Sequence, residues 1–199
     1  IDILEVEVQN FPRSQAALSL LGYCYYHMGF FDAAAQCYDS LVVICPDNED
    51  YKLYYAQSLF KAGLYADSVK AAIRVESEKY SQRILMMQAQ VKYNQDELSA
   101  CKSLLDKCAG DDADVLVNYA NVAYKEGKYE EARDKYGEVI KNSGYSASLA
   151  YNIALCHYRE KQYNKALSQI AEIIEKVNGL FEGQLTDDDQ LVYVNGVLK

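Results

Sequence analysis

Small and large apolar side chains recur along this chain with a period a little above thirty residues. Gly22, Ala56, Ala89, Ala120 and Ala154 are spaced 34, 33, 31 and 34 apart. Each is followed 12 positions later by another small residue, namely Ala34, Ser68, Cys101, Ala132 and Ala166. Three positions before each of those stands a large apolar one: Phe31, Tyr65, Leu98, Tyr129 and Tyr163. The drift lies between repeats and the spacing within a repeat is constant, as two helices locked face to face require. A small residue on each helix lets the pair approach closely, and the ring beside it fills the gap next to the contact.

Gly29, Gly63 and Gly127 fall between the helices of a pair, where a left-handed cap residue is least costly. Asp96 and Lys161 replace that glycine in the other two repeats and predict tighter or irregular turns there. Pro46 closes one repeat, and Pro12 ends the helix-like run IDILEVEVQNFP. With only two prolines and ten glycines, the composition holds little material for strands and tight turns and favours helices. The opening run looks like the second helix of a pair whose first is missing, so the chain is expected to be a fragment of a longer protein.

The expected organisation is all-α. Residues 1–14 form the second helix of a truncated repeat, and helix pairs follow at about 15–48, 49–81, 82–112, 113–146 and 147–177. Residues 178–199 depart from the repeat. In that segment Thr186 with Asp189 reads as a cap for a last short helix, and Asn195-Gly196 reads equally as a hairpin turn.

Charge and chemistry narrow the function classes. A formal charge of -9 argues against nucleic-acid binding, which needs clustered Lys and Arg. No apolar run approaches the roughly 20 residues of a membrane span, so no membrane insertion is expected. The six cysteines (Cys24, Cys37, Cys45, Cys101, Cys108 and Cys156) include no Cys-x-x-Cys pair, and without a signal-peptide pattern they read as reduced, small buried hydrophobes. There is no glycine-rich phosphate loop, and the only histidines are His27 and His157, the latter at a packing position. Acidic pairs such as Asp111–Asp112 and Glu130–Glu131 lie where a helix begins, which suits the helix dipole. No catalytic residue, metal ion or cofactor is expected.

With four further repeats behind it, LGYCYYHMGFFDAAAQCYDSLVVICP resembles a tetratricopeptide repeat. That resemblance implies a right-handed superhelical solenoid whose concave face is lined by the first helix of each pair. Counted from seven positions before the first small residue, the twelfth place reads Tyr26, Phe60, Tyr93, Tyr124 and Tyr158, all aromatic. The ninth reads Tyr23, Gln57, Gln90, Asn121 and Leu155, and the thirteenth His27, Lys61, Asn94, Lys125 and Arg159. Aromatic rings flanked by amides suit an extended apolar peptide, because amides both donate to and accept from a backbone while rings pack on proline or aliphatic side chains. The candidate groove residues are therefore Tyr23, Tyr26, Gln57, Phe60, Gln90, Tyr93, Asn121, Tyr124, Tyr151 and Tyr158. The competing reading makes the ladder interior packing. The groove reading places Tyr93, Tyr124 and Tyr158 outside the helix-pair contacts and makes Tyr129 and Tyr163 core rings.

Two longer segments sharpen the resemblance: NFPRSQAALSLLGYCYYHMGFFDAAAQCYDSLVVICPDNEDYKLYYAQSLFKAGLYADS and NVAYKEGKYEEARDKYGEVIKNSGYSASLAYNIALCHYREKQYNKALSQI. They are similar to the fleer-type tetratricopeptide subunit of the intraflagellar transport B complex. The resemblance implies a non-catalytic scaffold in the cilium or flagellum and the cytoplasm. It implies wrapping of a proline-rich segment of another subunit of that complex, and roles in cilium assembly and axonemal tubulin polyglutamylation. The alternative is a chaperone-type tetratricopeptide adaptor, which grips a terminal carboxylate with a basic clamp. The fifth places that would carry its lysine hold Ser19, Leu53, Met86 and Val117 in the first four repeats.

Overall fold

The computed structural model describes residues 1–110 and 112–181, with the side chains of 179–181 left aside. The expectations for Thr186, Asp189 and Asn195-Gly196 lie outside the described residues, as does Asp111. All regular structure among the described residues is helical. Helix α1 spans Asp2–Asn10, α2 Gln15–His27, α3 Phe31–Ile44, α4 Glu49–Lys61 and α5 Tyr65–Ile73. A single 3-10 turn at Glu78–Tyr80 precedes α6 at Ser81–Asn94. Then come α7 at Leu98–Leu105, α8 at Ala113–Lys125, α9 at Tyr129–Ser143, α10 at Ala147–Arg159 and α11 at Tyr163–Phe181. The chain divides into two compact units, Ile1–Glu97 and a second from Leu98 on.

Three of the first helices, α2, α4 and α8, start on side-chain caps, whereas α6 and α10, behind Tyr80 and Ser146, have none. Ser14 Oγ accepts from the Ala17 amide at 3.4 Å, Asn48 Oδ1 from Asp50 at 3.0 Å and Asp112 Oδ1 from Asp114 at 2.8 Å. Each satisfies one of the orphan donors of a helix start. The second helices α3, α5 and α9 have no such cap, since Phe30, Leu64 and Lys128 stand at their N-caps. They emerge instead from the turn that ends the preceding helix.

That turn is the same at every junction. Phe30 N–H reaches Tyr25 C=O at 2.9 Å while Gly29 N–H reaches Tyr26 C=O at 3.2 Å, the paired bonds of a Schellman motif. The pattern repeats with Leu64 to Leu59 and Gly63 to Phe60, and with Lys128 to Ala123 and Gly127 to Tyr124. It repeats equally with Glu97 to Lys92 and Asp96 to Tyr93, and with Gln162 to His157 and Lys161 to Tyr158. Asp96 and Lys161 take left-handed backbone at φ 61° and 60°, beside Gly29, Gly63 and Gly127 at 83°, 81° and 79°. The expected tighter or irregular turns are therefore absent. The residue at the cap takes left-handed backbone even where it carries a side chain, at the cost of local strain.

The paired small residues are all buried. Ala34, Ala56, Ser68, Ala89, Ala120 and Ala132 are 0% exposed and Cys101 2%. A Cβ on Gly22 would stand 3.1 Å from the Tyr38 ring and 3.2 Å from Cys37 Cβ, so the α2–α3 contact uses the missing side chain. Between α4 and α5 the buried Ser68 hydroxyl donates to the Ala56 carbonyl at 2.8 Å. In the first unit Leu18, Tyr38, Leu41, Val42 and Tyr51 form one core cluster, and Ala35, Leu59, Ala71, Ala72 and Met87 surround Ala56 in the next. Fully burying a side chain the size of Leu41 contributes about 1.5–3 kcal/mol. The second unit builds one cluster from Ala120, Ala123, Tyr136 and Cys156 and another from Ala150, Ile173 and Val177.

Polar contacts pin the remaining joints. Tyr25 Oη donates to Glu5 on α1, a helix that buries none of its own residues. This bond, followed by burial, pushes the Tyr25 phenol up to about 12. Glu49 Oε2 accepts the amides of Glu76 at 2.6 Å and Ser77 at 3.2 Å, holding the chain between α5 and the 3-10 turn. In the second unit Arg133 binds Glu160 at 2.7 Å, joining α9 to the turn after α10.

Candidate peptide-binding groove

In the first unit a groove of about 1200 Å³ opens across α2, α4 and α6. The small-residue seam turns the buried side of α2 toward α3, which leaves Leu20 and Tyr23 on the open face at 52% and 57% exposure. Tyr26 and His27 continue that face, and the His27 ring lies 4.2 Å from that of Tyr23. From α4 come Tyr51, Tyr54 and Gln57, from α3 Tyr38, and from the first turn of α6 Arg83. Tyr38 and Tyr54 meet at 5.4 Å between ring centroids.

The hydroxyls set the groove's polarity. Tyr51 Oη accepts from Gln15 Nε2 at 2.9 Å. Those of Tyr26, Tyr38 and Tyr54 make no hydrogen bond among the described residues. No buried side-chain nitrogen or oxygen there lacks a partner, so the Tyr38 hydroxyl reaches solvent although its ring is buried. Burial, with the neighbouring Tyr54, Cys37, Tyr26 and Tyr51 adding to it, pushes the Tyr38 phenol up to about 12. Burial also raises Tyr26, against the opposing charge of Arg83. These phenols therefore stay protonated and able to donate at neutral pH.

Of the residues expected from the sequence, Tyr23, Tyr26 and Gln57 come together in this groove. Phe60, Gln90 and Tyr93 belong to the same unit, are half-buried, and are not among its lining residues. In the second unit the Asn121 carbonyl oxygen accepts from Tyr136 Oη at 2.5 Å, which commits it to the core. Tyr151 packs against the Ala150–Ile173–Val177 cluster. Tyr124 is half-buried, and Arg159 Nε donates to its hydroxyl at 3.0 Å. Tyr158 is 57% exposed.

The ladder rings also have a packing role. Tyr26 meets Phe31 at 5.5 Å, Phe60 meets Tyr65 at 5.7 Å, Tyr124 meets Tyr129 at 5.4 Å and Tyr158 meets Tyr163 at 5.6 Å. Each pair straddles its own Schellman turn. The placement of Tyr124 and Tyr158 outside the helix-pair contacts is thus corrected, because a ring three residues before the left-handed cap residue faces the first residue of the next helix. Tyr163 departs from its expectation as well: it is 53% exposed and is not a core ring. The Arg159 guanidinium lies 5.9 Å from the Tyr124 ring.

Residues that the repeat pattern did not single out complete the groove: Tyr54, Leu20 and Arg83. Leu20 and Tyr54 share the sixth place of the first two repeats, which was a usable signal. Arg83 follows no recurrent pattern. Elsewhere, burial pushes the Cys37 and Cys156 thiols up to about 11, which suits packing and not a thiolate. The Asp112 carboxylate caps α8. Among the described residues no group of three or more His, Cys, Asp or Glu is arranged to hold a metal ion, and no helix is long and apolar enough to cross a membrane.

A family model described as intraflagellar transport protein 56 matches residues 18–180. The chain belongs to that family. Relatives carry two names. A protein named intraflagellar transport protein 70A from Xenopus tropicalis is 46% identical over 151 residues, covering 76% of this chain and 23% of its own length. A tetratricopeptide repeat protein 30 homolog from Caenorhabditis elegans is 43% identical over 151 residues, with the same coverage of 76% and 23%. The chain therefore spans about a quarter of the length of the curated relatives it matches. Solved structures show the fold. A thermophilic TPR protein from Thermus thermophilus superposes with a TM-score of 0.68 at 16% identity, covering 93% of this chain and 99% of the other. A tetratricopeptide repeat protein from Parabacteroides merdae gives 0.67 at 15% identity, covering 98% and 76%. The all-α tetratricopeptide class expected from the sequence is thus the class observed.

Proposed function

We propose that the chain is a non-catalytic scaffold segment of an intraflagellar-transport B subunit, working in the cilium or flagellum and the cytoplasm. Its groove holds an extended proline-rich segment of another subunit of that complex. Through that assembly it serves cilium formation and axonemal tubulin polyglutamylation. The observation that carries the binding role is the groove of the first unit, where rings alternate with unengaged phenol hydroxyls and the Gln57 amide. A proline offers no backbone N–H, so a proline-rich segment presents carbonyl acceptors and apolar rings. Tyrosine answers both, with a face for the ring and a hydroxyl for the carbonyl.

The test is capture from ciliated-cell extract with the chain and with a Tyr23→Ala/Tyr54→Ala variant, read by quantitative mass spectrometry. Intraflagellar-transport subunits are expected with the parent chain and depleted with the variant. Recovery of chaperones alone moves the assignment to the adaptor class. Equal recovery of transport subunits by both forms removes the groove from the binding surface.

A further inference from the structure

The groove of the first unit stands out by its charge. The chain carries 29 Asp and Glu in 199 residues, so 13 positions at that frequency would hold about two. None of the 13 residues lining the groove is acidic, and Arg83 stands among them. Several lysines of the unit pair with carboxylates: Lys52 with Glu49 at 2.6 Å, Lys70 with Asp67 at 3.0 Å and Lys92 with Glu97 at 2.8 Å. Arg83 has no carboxylate partner among the described residues.

Its position on the helix adds a second reason. Arg83 is the third residue of α6, where the aligned peptide dipoles present positive charge and cations are disfavoured. Helix α4 fills its first turn with Glu49 and Asp50, and α8 carries Asp114 there, whereas α6 has no acidic residue in that turn. A guanidinium and a helix start of the same sign thus face a wall of hydroxyls and amides with no counter-charge. A carboxylate entering the groove relieves both, and the planar fork of arginine matches it with two parallel hydrogen bonds.

Resting on the groove reading above, we propose that the occupant is an extended apolar peptide segment bearing an Asp or Glu side chain that Arg83 holds. The rings supply the grip along the segment. The arginine sets its register, since only one placement of the chain brings the carboxylate to α6.

The test uses fluorescein-labelled proline–leucine peptides carrying one Glu at successive positions, each matched by a Gln version, with binding to the full chain read by anisotropy. At one register the Glu peptide is expected to bind roughly twofold to fivefold tighter than its Gln partner, the size of an exposed charge pair. That preference shrinks as salt is raised. Arg83→Gln is expected to abolish the preference and Arg83→Lys to keep part of it, with thermal melting confirming that both fold. Equal binding of Glu and Gln peptides at every register, or a preference that survives Arg83→Gln, overturns the carboxylate proposal and leaves the groove reading intact. If no peptide binds, or if binding is indifferent to Tyr54→Ala, both readings fall.

Discussion

The Tyr124 and Tyr129 rings meet edge to face, 5.4 Å between centroids, across the turn that joins α8 to α9. Each is half-buried, and the Arg159 guanidinium lies 5.9 Å from the Tyr124 ring. The two rings thus act as one clasp. Truncating either to Ala is expected to cost about 1–3 kcal/mol in urea unfolding. The double variant should lose less than the sum of the singles by about 0.5–1.5 kcal/mol, the coupling of an aromatic pair. Strict additivity would show that the rings are neighbours without mutual stabilisation.

Left-handed backbone at Asp96 and Lys161 makes the turns a source of easy stabilisation. Glycine removes the Cβ penalty there, so Asp96→Gly and Lys161→Gly are each expected to raise stability by about 0.5–1 kcal/mol, net of the extra chain entropy. Gly127→Ala, with nothing within 4 Å of its added Cβ but φ at 79°, should lose about 1 kcal/mol. Thermal midpoints of the three variants check the sign. A drop for Lys161→Gly would show that its side chain matters more than its backbone.

Ser68 tests the small-residue seam. Removing its hydroxyl with Ser68→Ala takes the donor from the Ala56 carbonyl and should cost about 1 kcal/mol. Ser68→Leu forces a larger side chain into a site with 0% exposure and should cost more, about 1–3 kcal/mol from overpacking alone. The comparison is made by denaturant unfolding. Tolerance of leucine would mean that the α4–α5 contact is not a close one.

Glu49 supplies a pH dependence. Lys52 first, and then the amides of Glu76 and Ser77, hold its carboxyl below the ordinary value of 4.5 against the opposing effect of burial. A carboxyl depressed in the folded state contributes stability above its unfolded value, and that contribution is lost as pH falls through the folded one. Glu49→Gln should therefore lower the melting temperature at neutral pH. The gap to the parent chain should close progressively below about pH 4.5. A gap that stays constant into acid would assign the effect to packing.

Tyr23 is exposed on the groove wall and supports no core cluster, so its truncation separates binding from folding. Tyr23→Ala is expected to melt within about 0.5 kcal/mol of the parent. It should weaken partner binding by roughly 1–3 kcal/mol, as loss of an interface anchor does. Calorimetric titration with the captured partner measures the second quantity.

The all-α repeat class and the identity of the buried small residues were legible in the sequence, because close helix packing admits only a few side chains at a fixed separation. Gly22, Ala56 and Ala120 announce their partners Ala34, Ser68 and Ala132 by spacing alone. The turns were legible only where glycine marked them. Asp96 and Lys161 adopt the same conformation, closed by the same paired turn bonds, against a local penalty of about 1–2 kcal/mol. The ladder was found, but its contacts were not: recurrence along the chain does not say which neighbour a ring touches, and three-dimensional geometry turned Tyr124 and Tyr158 toward Tyr129 and Tyr163. The groove itself was a tertiary decision. Tyr38, Tyr54 and Arg83 come from three helices at unrelated repeat positions, and only the packing of those helices brings phenols and a guanidinium to one wall free of acidic side chains.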